Sequence, residues 1–339
     1  MMENNKKKSG GERPLLICLS ATRNYGWVTR AFCHANSQWA DYIIIVDQMS
    51  TDATRDICSE YDKVILIDDH DLSYSESRRS MMALNRAREI KGDKILIYLA
   101  IDEVLPANWM KTADGQKVLN SKPSEMFMLD WANILPDNKH CKMVFQDDMY
   151  RIFHDDGVTP YDNQNKDMHT HCLPYHEGGK EYKISDFPIL HFGIYNTKFQ
   201  YVKLRYYQMV DYDKNHRSVV TLSRYYNRPI GNDFWQGVDD VKHEWLWSEF
   251  DLFSLVDLDT PPFLVEECQK FIREKGIKRY VLLDMWDDTM LDYLQIQDPR
   301  PIWIKIVHRY FHATEKYHKW IIIRVIDKVL KAFIWVTEY

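Results

Sequence analysis

The stretch Asp41-Tyr42-Ile43-Ile44-Ile45-Val46-Asp47-Gln48-Met49-Ser50-Thr51-Asp52-Ala53-Thr54 decides how the chain reads. From Tyr42 to Val46 it is apolar and largely β-branched with no polar face, the pattern of a parallel strand covered on both sides. Asp47 ends that run. Ser50, Thr51 and Asp52 then bring short oxygen-bearing side chains of the kind that cap a helix, predicted over 53–61. A strand that passes into a helix within a few residues is half of a βαβ unit.

The neighbouring segments repeat the pattern. Upstream, Leu15-Leu16-Ile17-Cys18-Leu19 has the length and polarity of a buried strand, with a helix predicted over 25–37. Downstream, Lys63-Val64-Ile65-Leu66-Ile67 is a third strand. A helix over 75–91 turns Met81, Met82, Leu84, Ala87 and Ile90 to a core and stops at Gly92, and Lys94-Ile95-Leu96-Ile97-Tyr98-Leu99 is a fourth strand. Strands and helices alternating at this spacing predict an α/β fold with a mostly parallel sheet and right-handed crossovers. Ligands bind such sheets at the carboxyl ends of the strands, where Asp47 and Asp102 fall.

Beyond that point the pattern loosens. Residues 126–129 and 150–153 are short strand-like pieces, and 155–183, rich in Asp, Asn, His and Gly, reads as a long loop of the kind that carries function. A last strand is expected over 187–192 and a helix over 198–214.

Composition narrows the class. The 339 residues are 45% hydrophobic and 28% charged with a net charge of −6, which is the balance of a folded globular protein and not of a general nucleic-acid binder. The six cysteines are scattered with no CxxC pair, so they read as reduced thiols of a cytoplasmic protein. Residues 1–13 form a polar tail with no apolar stretch behind it that resembles a signal peptide. No segment reaches the roughly 20 apolar residues of a membrane-spanning helix. The expectation is a cytoplasmic protein with room for a contact at the inner face of the cell membrane.

Asp47-Gln48-Met49-Ser50-Thr51-Asp52-Ala53-Thr54 resembles the Asp-Asp-Gly-Ser-Thr-Asp-Gly-Thr signature after the second strand of family 2 glycosyltransferases of the GT-A fold. Lys91-Gly92-Asp93 through Glu103 resembles that family's Gly-Asp, apolar strand, Leu-Asp-Ala-Asp-Glu segment. The resemblance covers residues 14–110 well and 126–215 loosely. It implies a GT-A domain over 14–215, with a donor-binding half at 14–110 and an acceptor half at 111–215, followed by a helical region over 216–339.

The resemblance also implies roles. Asp47 would bind the base or ribose of a nucleotide-diphospho-sugar donor, Asp52 would support that site, and Asp102 would hold a divalent metal, Mn2+ or Mg2+, against the diphosphate. The chemistry is coherent, because a diphosphate leaving group gains negative charge as the glycosidic bond breaks, and a cation held by oxygen ligands stabilises it. One position departs from the pattern: Ala100 stands where the family has its first acid.

His191-Phe192-Gly193 resembles a segment that lies beside the diphosphate in related enzymes. His191 is therefore a second candidate metal ligand, since neutral imidazole suits Mn2+; a strand-end histidine bonded to backbone is the other reading. Arg23 and Asn24, after the first strand, line a base pocket, and Arg78 and Arg79 reach phosphate or sugar through planar donors. Arg86 reads as an exposed helix residue. Inverting transfer needs a carboxylate base for the acceptor hydroxyl, for which Asp147, Asp148 and Glu177 are candidates. Tyr175-His176-Glu177 and Met168-His169-Thr170 compete as the counterpart of the family's Val-His-Glu. His169, His171 and His176 have no spacing that marks a zinc site.

The chain from Trp320 to Trp335 is mostly apolar but interrupted by Arg324, Lys328 and Lys331, spaced to share one helical face. With Trp303–Phe311 it reads either as an interfacial element over 303–336 on an anionic membrane or as a helix packed on the domain or on the second subunit of a homodimer. The function expected is a metal-dependent, inverting glycosyltransferase acting on a glycan or lipid-linked acceptor in bacterial surface polysaccharide or glycolipid synthesis. A non-catalytic GT-A protein that binds a nucleotide sugar or a partner glycosyltransferase is the alternative. A sugar nucleotidyltransferase is disfavoured, because no Gly-rich phosphate loop follows the first strand.

Overall fold

A computed structural model describes residues 13–73, 75–145, 150–161, 172–175, 178–214, 216–227, 237–259 and 262–338. Its strands in chain order are β1 (Leu15–Thr22), β2 (Tyr42–Asp47), β3 (Val64–Asp68), β4 (Lys94–Tyr98), β5 (Glu103–Val104) and β6 (Met126–Met128). They continue as β7 (Trp131–Ile134), β8 (His140–Val144), β9 (Tyr150–His154), β10 (Glu181–Lys183), β11 (Ile189–His191) and β12 (Asp239–Asp240). Between them run α1 (Gly26–Ser37), α2 (Thr54–Ser59), α3 (Glu76–Glu89) and α4 (Ala113–Leu119).

Seven strands form one sheet in the order β10-β6-β9-β4-β1-β2-β3, and five form another in the order β12-β8-β7-β11-β5. In the first sheet β3, β2, β1 and β4 are parallel neighbours, and β9 runs antiparallel to both β4 and β6. This is the mostly parallel α/β sheet flanked by helices that the sequence predicts.

The apolar runs explain the order of the strands. Ile43, Ile44, Ile45 and Val46 are all 0% exposed, because α3 covers one face of the sheet and α1 the other. On the α3 side, Ile17, Leu19, Ile44, Val46 and Leu96 meet Ala83, Leu84 and Ala87. Removing one such side chain, as in Ile44→Ala, costs about 2–5 kcal/mol. Ser75 caps α3 by accepting the Arg78 N–H, and Gly92, at φ +111°, makes the left-handed turn into β4.

Of the second sheet only β11 was legible, as the strand expected over 187–192. The sheet is built from two- to five-residue strands, and β12 comes from the stretch that the sequence assigns to the helical region. Asp239 and Asp240 pair with Cys141 and His140, and the Ala107 N–H donates to the Trp245 carbonyl at 2.9 Å. The compact units therefore divide elsewhere than at residue 215. One comprises Met1–Tyr195 with Val238–Thr260, and the other comprises Asn196–Gly237 with Pro261–Tyr339.

The second unit is helical, as expected, but includes the helix over 197–214. Its members are α5 (Thr197–Lys214), α6 (Val219–Tyr226), α7 (Leu264–Lys275), α8 (Asp288–Leu294), α9 (Ile302–Ala313) and α10 (Ile321–Glu338). Arg224 of α6 ties three parts of it together, donating to Asp327 at 2.9 Å, the Phe311 carbonyl at 2.9 Å and Thr314 Oγ1 at 2.8 Å. No disulfide joins any of the six cysteines.

Candidate functional site

The carboxyl ends of β1, β2 and β3 align, with Thr22 beside Asp47 and Asp47 beside Asp68. The loops that follow β1 and β2 are laced together there. Asn24, in the left-handed region at φ 56°, accepts the Thr51 N–H on its side-chain oxygen at 2.7 Å and gives its own N–H to Ser50 Oγ at 2.8 Å. Asp52 accepts the Gly26 N–H at 2.8 Å and the Thr54 N–H at 3.0 Å, so one carboxylate serves the first turns of both α1 and α2. Negative charge at two helix N-termini is favourable.

Asp47 lies beneath this lacing and is 0% exposed. It accepts the Ser50 N–H at 2.9 Å, the Ser50 hydroxyl, and Arg55 Nη1 at 2.6 Å. Arg55 also reaches Asp68 at 2.8 Å. Hydrogen bonding to Asp47 first, then to Asp68, raises the Arg55 pKa above its ordinary value. A ribose hydroxyl could reach Asp47 only by displacing Arg55 or Ser50.

The arginines of α3 are similarly engaged. Arg78 donates to Asp69 at 2.9 Å, to Asp71 at 2.8 Å and to the Asp71 and Ser73 carbonyls at 2.7 and 2.8 Å, which clamps the loop after β3. Gln48 Nε2 reaches the same two carbonyls at 2.6 and 3.0 Å. Arg79 is buried and its Nε donates to the Ser75 carbonyl at 3.3 Å. Arg23 is half-buried on the β1 loop, and Arg86 pairs with Glu89 on the exposed side of α3.

The two residues proposed as metal ligands come together, although 89 positions separate them in the sequence. His191 Nε2 lies 3.7 Å from Asp102 Oδ2. The cause is register: β11 runs antiparallel to β5, with His191 beside Glu103, and the Phe192 N–H bonds the Asp102 carbonyl at 2.8 Å. On its other side β11 runs parallel to β7, which sets His191 beside Asn133. There Asn133 Oδ1 accepts from His191 Nδ1 at 2.6 Å, leaving Nε2 directed at the carboxylate. A ligating histidine held through its other nitrogen is oriented in this way. Trp131 packs against the imidazole at 4.9 Å.

Gly193 is required by the same geometry. A Cβ there would sit 2.6 Å from His191 Cε1 and Nε2.

The turn after β4 is closed by Glu103. Its Oε2 accepts the Ala100 N–H at 2.7 Å and its Oε1 the Arg151 guanidinium at 3.1 Å. Both side chains are buried, and Arg151 also lies over the Trp131 ring at 5.4 Å. Glu103, Arg151, Trp131 and Asn133 had no assigned role in the sequence reading. The strand-like piece over 150–153 was visible, but the strand pairing that sets Asn133 behind His191 was not.

Among the described residues, no group of three or more His, Cys, Asp or Glu side chains is arranged to hold a metal ion. Asp102 and His191 could supply two ligands to a divalent cation that takes its remaining ligands from elsewhere. Asp147, Asp148, His169, His171, His176 and Glu177 lie outside the described residues, the three candidate bases among them.

No protein-family model matches the chain, and no curated protein matches it. Solved structures do. Staphylococcus aureus TarS is 10% identical with a TM-score of 0.40, over 93% of this chain and 55% of that one, so the chain spans about half of the TarS length. A TarS fragment, 1–349, is 14% identical with a TM-score of 0.36, over 78% and 89% of the two chains. A 4-diphosphocytidyl-2C-methyl-D-erythritol synthase is 10% identical with a TM-score of 0.35, over 51% and 89%. The mostly parallel sheet and its flanking helices are what the sequence predicts.

Proposed function

We propose that the protein is a glycosyltransferase that moves a sugar, with inversion, from a nucleotide diphosphate donor to a hydroxyl of a glycan or lipid-linked acceptor. The observation that carries this reading is the pairing of Asp102 with His191 at 3.7 Å beside the carboxyl end of the parallel sheet. A divalent cation bound there would neutralise charge developing on the departing diphosphate. Asp102 would supply its carboxylate, and His191, oriented by Asn133, its Nε2 lone pair. Arg23, Asn24 and Asp52 would line the donor pocket from the laced loops, with Asp47 and Arg55 setting their shape from below. Arg78 and Arg79, at the start of α3, would reach the phosphates only on release from Asp69 and Asp71 and from the Ser75 carbonyl respectively. The base is sought at Glu177 or Asp148. Assembly of bacterial surface polysaccharide or glycolipid is the setting this chemistry suits.

A second reading, a non-catalytic protein that binds a nucleotide sugar or a partner glycosyltransferase, is favoured by two observations. Ala100 offers no carboxylate where an acid would stand, and Asp47 is enclosed by its own loop.

A thermal-shift panel of nucleotide-diphospho-sugars with and without Mn2+ tests binding, since a ligand of the folded state raises Tm. Donor hydrolysis separates the two readings. The enzyme releases nucleotide diphosphate slowly without acceptor, and Asp102→Asn abolishes the release. A donor that binds but is never hydrolysed selects the second reading, and failure of every donor removes both.

A further inference from the structure

The outer face of α10 is apolar where a solvated helix would be polar. Ile321 is 80% exposed, Val329 64%, and Ile322, Val325 and Phe333 are exposed as well. At about 100° per residue these side chains occupy one continuous sector of the helix. Ile323 and Ile334 face the opposite way and are buried. Trp303 of α9 meets Phe333 edge-on at 5.7 Å, and the exposed Ile302 and Ile306 of α9 extend the surface. A patch of this kind marks an interaction site.

Charge selects the partner. Arg324, Lys328 and Lys331 form a basic row along one flank of the apolar sector, and all three are exposed. Asp327 borders that row, but its carboxylate is engaged by Arg224 at 2.9 Å and by the Tyr310 hydroxyl at 3.0 Å. Lys316 and Lys319 precede the helix, where the exposed rings of Tyr317 and Trp320 lie 4.8 Å apart. A local excess of cations is notable in a chain whose net charge is −6. An apolar cleft of about 300 Å3, lined by Val219, Val220, Ala332 and Ile334, opens beside Lys328 and Lys331.

We infer that this face of α9 and α10 docks on a bilayer containing anionic phospholipid, with α10 lying in the plane of the headgroups. Apolar side chains enter the acyl boundary, the amphipathic Trp and Tyr rings sit at headgroup level, and the basic row meets lipid phosphates. Among the described residues no helix is long and apolar enough to cross a membrane, so the contact lies on the surface.

The test is co-sedimentation of the full chain with vesicles of phosphatidylcholine alone and of phosphatidylcholine with phosphatidylglycerol. The protein pellets with the anionic vesicles and is released by salt. Val325→Glu with Val329→Glu abolishes pelleting, and each of Lys328→Gln and Lys331→Gln lowers partition about fivefold. These positions are exposed, and an unchanged Tm confirms that the variants fold. Two outcomes overturn the inference: wild-type protein that stays in the supernatant with anionic vesicles, or a concentration-dependent dimer that Val329→Glu dissociates while neither vesicle is bound. No donor enters the assay, so its result is separate from that of the transferase reading.

Discussion

Asn133 stands behind His191, its Oδ1 2.6 Å from the imidazole Nδ1, on a strand that runs parallel to the one carrying the histidine. The amide thereby decides which nitrogen faces Asp102. Asn133→Ala is expected to weaken Mn2+ binding about 10- to 100-fold, the usual loss when a ligand's supporting hydrogen bond is removed. A Mn2+ titration read by the thermal shift of the donor-bound protein measures this, and an unchanged midpoint would show that His191 needs no such support.

Gly193→Ala places a methyl group where the His191 ring now lies, 2.6 Å from Cε1 and Nε2. The ring must swing away from Asp102, so the stabilisation that Mn2+ confers is expected to disappear. The metal-free fold should lose only the roughly 1–3 kcal/mol typical of local overpacking. Urea unfolding with and without Mn2+ separates the two effects, and retention of the full metal effect would exclude His191 as a ligand.

Arg55→Met leaves the Asp47 carboxylate buried without its cation. Truncating one partner of a fully buried pair costs about 3–5 kcal/mol; Arg55 is 34% exposed, so screening lowers the expectation to about 2–3 kcal/mol. The double variant Asp47→Asn with Arg55→Met should recover part of that loss. Additive losses in a double-mutant cycle would mean that the ion pair does not lock the loop.

In the helical unit Asp284 faces two histidines of α9, His308 at 3.3 Å and His312 at 3.2 Å. Burial pushes the Asp284 carboxyl up, but hydrogen bonding from His312 and the histidine charges outweigh it and hold the pKa below its ordinary value. The bond to Asp284 raises His312, whereas burial lowers His308. The folded state thus holds the His312 proton more tightly, a contribution complete below about pH 6.5 and lost as pH rises through the raised value. The Asp284 and His308 contributions are present above their ordinary values and lost as pH falls through the lowered ones. Replacing His312 by Gln should narrow the gap to wild type as the pH is raised, and a gap independent of pH in urea unfolding would contradict this coupling.

The parallel sheet was readable because Ile43–Val46 and Ile95–Tyr98 are buried on both faces and carry no competing pattern. Asp102 and His191 were readable as candidates because each stands at or just after the end of an apolar strand, within a segment that carries the resemblance. Asn133 was not, since its role depends on the register between strands 58 residues apart. The rest of the second sheet, β11 apart, escaped for a related reason, because strands of two to five residues leave almost no periodic signal, and β12 holds only two acids. The engagement of Asp47 by Arg55 was hidden by a helix that begins within the motif and turns its first-turn arginine back over the strand end.

The return of Asp239 and Asp240 to the sheet beside β8 has a practical consequence for dissecting the molecule. The polypeptide passes between its two compact bodies three times, after Tyr195, after Gly237 and after Thr260. No single scission can release either body whole, and a fragment ending near residue 215 would carry α5 without the helices it packs on and β8 without its outer neighbour. Keeping the first body whole takes two operations together, excision of 196–237 with its flanks rejoined and truncation after residue 260.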